Sequence, residues 1–138
     1  MRGRYCQSFS IRFAEVDRQG VAFNANYLMY MDETLEGWIA TFGDLRHEYS
    51  WDMMTKRCAL EWRSSLKQHD VLNVDVAITK WGRTSWSVGF IGLCGSRAIF
   101  TAEMVYVSVL LGENTPIETP GPIRDFLGEA VSSFIVCH

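Results

Sequence analysis

The sequence predicts an α+β fold in which one long central helix is wrapped by a curved, five-stranded antiparallel sheet, with a short C-terminal helix. Three patterns carry that expectation: apolar steps of three and four between Leu28 and Phe42, alternating segments before and after them, and short turn-rich connections between the later strands. The implied order is β-α-β-β-β-β-α. A chain of 138 residues is read as a single domain over 1–138, long enough to bury a core without a metal or a disulfide.

Phe9, Ile11 and Phe13 alternate with Ser8, Ser10 and Arg12, the period of a half-buried first strand. The helix is expected over 26–42, with Leu28, Met31, Leu35, Trp38 and Phe42 on one stripe and Glu33, Glu36 and Ala40 opposite. Such a helix is about 25 Å long. Asn24 or Asn26 is suited to cap its start and Gly43 to follow its end. Gly37 inside it costs about 1 kcal/mol relative to alanine, which a closely approaching second backbone would offset. Segment 44–54 has no clean period and is read as a loop with a short helix.

Four more strands are expected over 55–65, 71–81, 84–94 and 98–111. Cys58, Leu60 and Trp62 share a face of the first, Leu72, Val74, Val76 and Ile78 of the second, and Trp86, Val88 and Phe90 of the third. The last reads as buried on both faces. Connections at 81–84 and 95–97 suit hairpins. Beyond Pro120-Gly121-Pro122, apolar residues at Ile123, Phe126, Leu127, Ala130, Val131 and Phe134 have helical spacing.

Composition narrows the function. A net charge of −3 gives no general attraction to nucleic acid or anionic membrane. The longest apolar run, 104–111, is too short to span a bilayer, and the N-terminus lacks a signal-peptide core. Cys6, Cys58, Cys94 and Cys137 are scattered outside zinc-site spacings and read as free thiols, so a cytoplasmic protein is expected. Neither G-x-S-x-G, a P-loop nor G-x-G-x-x-G is present. His47, His69 and His138 form no cluster, which leaves carboxylates as the candidate catalysts.

Asp17-Arg18-Gln19-Gly20 has the Asp and Gly placement of a type I turn. The same turn delivers the chain within a few residues to the start of the long helix, where unpaired N–H groups and the helix dipole favour an oxyanion. Turn residue and catalytic carboxylate are both consistent with this spacing.

The stretch Ile11-Arg12-Phe13-Ala14-Glu15-Val16-Asp17-Arg18-Gln19-Gly20-Val21, followed by Asn26-Tyr27 and the helix, resembles the hot-dog-fold thioesterases similar to 4-hydroxybenzoyl-coenzyme A thioesterase. The likeness covers nearly the whole chain, including the strand order and the I-x-x-W turn at 78–81. It implies hydrolysis of an acyl- or aroyl-CoA thioester, with Asp17 as nucleophile or general base and the backbone N–H at Asn24 polarising the thioester carbonyl. Gly20, Phe23 and Tyr27 are the implied substrate contacts, and no cofactor is called for. The implied assembly is a homodimer or homotetramer with the site between protomers. Phe23-Asn24 departs from the family's frequent aromatic-histidine pair, which bears on the substrate more than on the reaction.

The cationic turn of Lys80 and Arg83 is suited to coenzyme A phosphates, with Arg63 and Lys67 as further possibilities. Trp51, Trp62, Trp81 and Trp86 fit either an acyl pocket or the core. Glu33 and Glu36 read as a solvated face, with Asp32 and Thr34 at its borders. The alternatives are an acyl-carrier-protein thioesterase and a non-catalytic acyl-thioester-binding module; the second gains nothing from a carboxylate beside a thioester carbonyl and bears its desolvation cost.

Overall fold

Tight connections lay β3 (Val71–Trp81), β4 (Ser85–Cys94) and β5 (Arg97–Leu110) side by side, while two strands made earlier in the chain, β1 (Tyr5–Ser10) and β2 (Trp51–Trp62), close the two edges. The computed structural model describes residues 3–132. All pairings in the β1-β3-β4-β5-β2 sheet are antiparallel. Between β1 and β2 run a 3-10 turn (Phe13–Glu15), the long helix α1 (Asn26–Ala40) and the short α2 (Leu45–Glu48); α3 (Gly121–Leu127) follows the sheet. None of the described helices is long and apolar enough to cross a membrane.

Helix α1 buries Tyr27, Tyr30, Met31, Thr34, Leu35, Trp38 and Ile39. They meet the inward residues of the sheet, among them Leu72, Val74, Val76, Ile78, Trp86, Val88, Phe90, Met104 and Tyr106. Each large apolar side chain so removed from water contributes about 1.5–3 kcal/mol. Compared with the expected stripe, the face is turned toward Tyr27 and Tyr30, and Leu28 points outward. Gly37 is explained by side chains, not by a second backbone: a Cβ there would lie 2.6 Å from Gln7 Oε1 and 2.8 Å from Tyr5 Oη, both on β1.

Several boundaries differ from the sequence reading. The first strand ends at Ser10, because its partner begins at Val71. Beyond that ladder, Phe13 sits in the 3-10 turn, 75% exposed. Helix α1 ends at Ala40, and Thr41, Phe42 and Gly43 close it with bonds to carbonyls three residues back, Gly43 taking φ +108°. Strand β2 starts at Trp51, inside the expected loop, because Trp51 to Met54 pair with Leu110 to Val107. A bulge between Thr55 and Arg57 leaves Lys56 as the extra residue and shifts the alternation that a sequence reader follows.

Strand β5 buries Phe100, Met104, Tyr106 and Ser108 fully but Val105 and Val107 only in part, so its outer face is less covered than expected. Gly92 faces Phe100 across the β4–β5 ladder, and a Cβ there would sit 2.2 Å from the ring. Helix α3 stops at Gly128, which has φ +85°, so Ala130 and Val131 lie past it. The Val131 N–H bonds to the Ile78 carbonyl. Phe134, Cys137 and His138 lie outside the described residues.

Candidate active site

The turn at Asp17 is built by the residues that suggested it. Gly20 N–H donates to the Asp17 carbonyl (3.0 Å) and Asp17 N–H to the Val21 carbonyl (2.9 Å). Gly20 has φ +78°, and a Cβ there would meet nothing, so glycine is wanted for its conformation and not for space. A type I turn closed by a left-handed residue is a standard hairpin corner. Asp17 Oδ1 accepts the Gln19 N–H at 2.8 Å, and among the described residues Asp17 makes no ion pair. The turn reading is therefore satisfied by one carboxylate oxygen, leaving the other available.

The strands of this hairpin dock it onto the fold. Val16 bridges Ala22, Val21 bridges Lys67, and Ala22 N–H reaches the Leu66 carbonyl (2.8 Å). Phe23 N–H donates to the Glu15 carbonyl at 2.9 Å, and the chain then turns directly into α1. Neither expected asparagine caps the helix: Ala25 occupies the N-cap position, and Asn26 Nδ2 donates instead to the Glu15 carbonyl (2.7 Å). Among the described residues the N–H groups of Asn24 and Ala25 have no acceptor in the chain. Asn24 lies three residues past the Asp17–Val21 pair.

Glu15 is the residue that sequence reasoning passed over. The residue is only 6% exposed, with Oε1 accepting the Tyr30 hydroxyl at 2.8 Å and Oε2 accepting Arg12 Nε at 2.5 Å. Burial pushes the carboxyl up, but the hydrogen bonds from Arg12 and Tyr30 and the guanidinium charge outweigh it, so Glu15 titrates below the usual carboxylate range. Burial and the Glu15 carboxylate push the Tyr30 hydroxyl upward. Ionised acceptor and neutral donor are thus the stable pairing. A cleft of about 380 Å³ opens beside them, lined by Phe9, Ser10, Arg12, Met29 and Tyr30 among others. The available signal was the Arg12–Glu15 spacing; its partner Tyr30 lies on another element.

The other sequence candidates divide between two ends of the molecule. Phe23 is 53% exposed near the Asp17 turn. Tyr27 is 1% exposed, edge-on to Tyr30, Trp62 and Phe100, so in the isolated chain it offers a ligand almost no surface. Lys80 and Arg83 stand at the far end of β3, about 30 Å along the strand from Val71 at the usual rise. Both are exposed and without an ion pair among the described residues. Arg63 pairs with Glu61 at 3.2 Å. The Lys67 side chain is exposed, and its backbone N–H donates to Asp70 Oδ2.

Trp51 and Trp86 are core, Trp81 stacks on Trp86, and Trp62 remains 46% exposed. Thr34 is buried with its hydroxyl donated to the Tyr30 carbonyl (2.7 Å). The carboxyl of Asp32 is raised by burial and by Glu36 and Glu33.

No curated protein matches the sequence. In three dimensions the chain is similar to a 1,4-dihydroxy-2-naphthoyl-CoA thioesterase from Synechocystis, at 16% identity and TM-score 0.79, covering 89% of this chain and 94% of that one. It is similar to a gentisyl-coenzyme A thioesterase at 17% identity and TM-score 0.79, covering 89% and 99%. A thioesterase superfamily protein from Jannaschia sp. CCS1 aligns at 12% identity and TM-score 0.84, covering 92% and 94%. At these identities the likeness lies in the fold, a hot-dog arrangement of one long helix and a five-stranded antiparallel sheet. The family model of the thioesterase-like superfamily matches residues 11–131, from the end of β1 through the Asp17 turn to the segment past α3, and the chain belongs to that superfamily.

Proposed function

We propose that the protein hydrolyses an aroyl- or acyl-CoA thioester, with Asp17 as the catalytic carboxylate and the backbone N–H at Asn24 as oxyanion donor. The observation that carries this reading is the hairpin that joins Asp17 to the two residues just ahead of α1, Asn24 and Ala25, whose N–H groups have no acceptor among the described residues. The thioester carbonyl accepts from such an amide, and the negative charge developing on its oxygen strengthens that bond; one well-aimed donor of this kind contributes about 3–4 kcal/mol. Asp17 then either attacks the carbonyl carbon, giving a mixed anhydride that water hydrolyses, or takes a proton from the attacking water. In both routes the C–S bond breaks, the thiolate leaves with the bonding pair and is protonated, and the acid is released.

Two supports point to aromatic acyl groups: the similar folds described above include enzymes for dihydroxynaphthoyl- and gentisyl-CoA, and Phe23 stands exposed beside the turn. Lys80 and Arg83 serve as phosphate contacts in this reading. Because they lie at the other end of β3 from the Asp17 hairpin, they reach the same substrate only from a second copy of the chain, which favours a homodimer or homotetramer. Gly20 serves the site through the conformation of the turn, and Tyr27 through its packing at the start of α1.

A second reading has one observation in its favour. Asp17 Oδ1 is engaged by Gln19 N–H, as in a purely structural turn within a non-catalytic thioester-binding module. Asp17→Asn separates the two, since an amide oxygen still accepts that bond while the nucleophilic charge is gone. Thiol release from a panel of benzoyl- and fatty acyl-CoA esters is expected to fall about a hundredfold or more in this variant with folding intact. Native turnover in Asp17→Asn removes Asp17 from the mechanism.

A further inference from the structure

Among the described residues Glu15 is the one charged side chain that is buried. Stability alone is a weak reason for it, because a buried ion pair often contributes no more than an apolar replacement would. What the carboxylate does supply is direction. One oxygen takes the hydroxyl of Tyr30 and the other Nε of Arg12, while the carbonyl of the same residue takes Phe23 N–H and Asn26 Nδ2. Tyr30 and Asn26 both belong to α1, and Phe23 is the last hairpin residue before its first turn. Glu15 stands two residues ahead of Asp17, whose own backbone bonds stay within the hairpin. The arm of the hairpin that leads into Asp17 is therefore tied to the helix through Glu15, while the returning arm is tied by the Asn26 N–H on the Phe23 carbonyl.

We propose that Glu15 is a positioning residue, which by its grip on Tyr30 and Asn26 holds Asp17 at working distance from the free amides of Asn24 and Ala25. This rests on the reading of Asp17 as the catalytic carboxylate. Glu15 does not touch the reacting atoms. Loosening the grip lets the hairpin shift against α1, and a displacement of about 1 Å at a reacting group costs as much as a hundredfold in rate.

The test compares Glu15→Gln, Tyr30→Phe, Asp17→Asn and the double variant Asp17→Asn/Glu15→Gln in full-length protein, by steady-state thioester hydrolysis and by amide hydrogen exchange. Glu15→Gln and Tyr30→Phe are expected to lower kcat about tenfold or more with KM changed less than about twofold. The double variant is expected to be no slower than Asp17→Asn alone, because a positioning residue has nothing left to position. Exchange at Gln19 and Gly20 quickens while amides of β4 and β5 keep their protection.

Native kcat in both Glu15→Gln and Tyr30→Phe beside a disabled Asp17→Asn overturns the positioning role and leaves the Asp17 reading standing. Losses that multiply in the double variant overturn it as well. Native turnover in Asp17→Asn sinks the catalytic reading and the positioning role together. If Glu15→Gln fails to fold, Tyr30→Phe, which removes a single oxygen, carries the same comparison.

Discussion

Replacing Ser108 by alanine removes one oxygen and strands three partners. Ser108 Oγ accepts the indole N–H of Trp51 (3.0 Å) and of Trp86 (3.1 Å), and lies 2.7 Å from Thr119 Oγ1. A hydroxyl has one proton, so with both lone pairs occupied by indoles that proton goes to Thr119. Trp51, Trp86, Ser108 and Thr119 are all buried, and no water-exposed partner is at hand once the oxygen is gone. Each buried N–H left without an acceptor costs about 1–3 kcal/mol, so Ser108→Ala is expected to lose about 2–5 kcal/mol after local relaxation.

At about 4 °C per kcal/mol for a chain of this size, the midpoint falls by about 8–20 °C. Urea unfolding with an unchanged m-value and a lowered midpoint is the primary measurement. A Trp51→Phe/Trp86→Phe background supplies the control, since without the indole donors the same Ser108→Ala step strands only Thr119 and loses less than in the native background. A loss below about 1 kcal/mol in the native background, or an equal loss in both backgrounds, refutes the claim that the indoles depend on this oxygen. Ser108 belongs to the Trp86 and Ser85 end of the sheet, away from Asp17, so kcat of the folded variant is expected to stay native.

Two further expectations concern the site. Glu15 titrates below its unfolded value, so its grip stabilises fully above the ordinary carboxylate pKa of about 4.3 and fades as pH falls through the lower folded value. Stability of Glu15→Gln measured against pH is therefore expected to fall less steeply below about pH 4 than that of the native protein, and equal slopes would count against an ionised grip. Lys80→Ala/Arg83→Ala is expected to raise KM for CoA thioesters several-fold with kcat held, an effect that shrinks at high ionic strength. Mixed oligomers of this variant with Asp17→Asn should contain some sites with both sets of native residues, so at substrate well below KM their kcat/KM per intact Asp17 exceeds that of the Lys80→Ala/Arg83→Ala parent; no such gain on mixing speaks against a shared site.

The regular elements were legible where neighbouring residues decide them. Val74, Val76 and Ile78 alternate along β3 because that strand is covered on one face by α1, and the steps of three and four from Met31 to Trp38 mark the helix face that does the covering. Strand β2 was misread at its start because Trp51 to Met54 become a strand by pairing with β5, and the extra Lys56 breaks the period. The Asp17 turn was legible, since Asp and Gly at that spacing act within four residues. The role of Glu15 was not, because its acceptors are filled from Arg12 on one side and from Tyr30, fifteen residues away, on the other.

Sequence by itself determined the order of elements, the turn at Asp17 with its glycine three residues on, and membership in the thioesterase-like superfamily. Each of these follows from residues adjacent in the chain, or from a motif that survives as a contiguous string. Tertiary structure alone decided that Asn24 and Ala25 keep free amides, that Tyr30 and Asn26 close on Glu15, that two tryptophans share one serine, and that Lys80 and Arg83 stand at the opposite end of the sheet from Asp17. Those pairings depend on strand register and on where a helix comes to rest against a sheet, quantities set by the packing of the whole core and by no local run of residues.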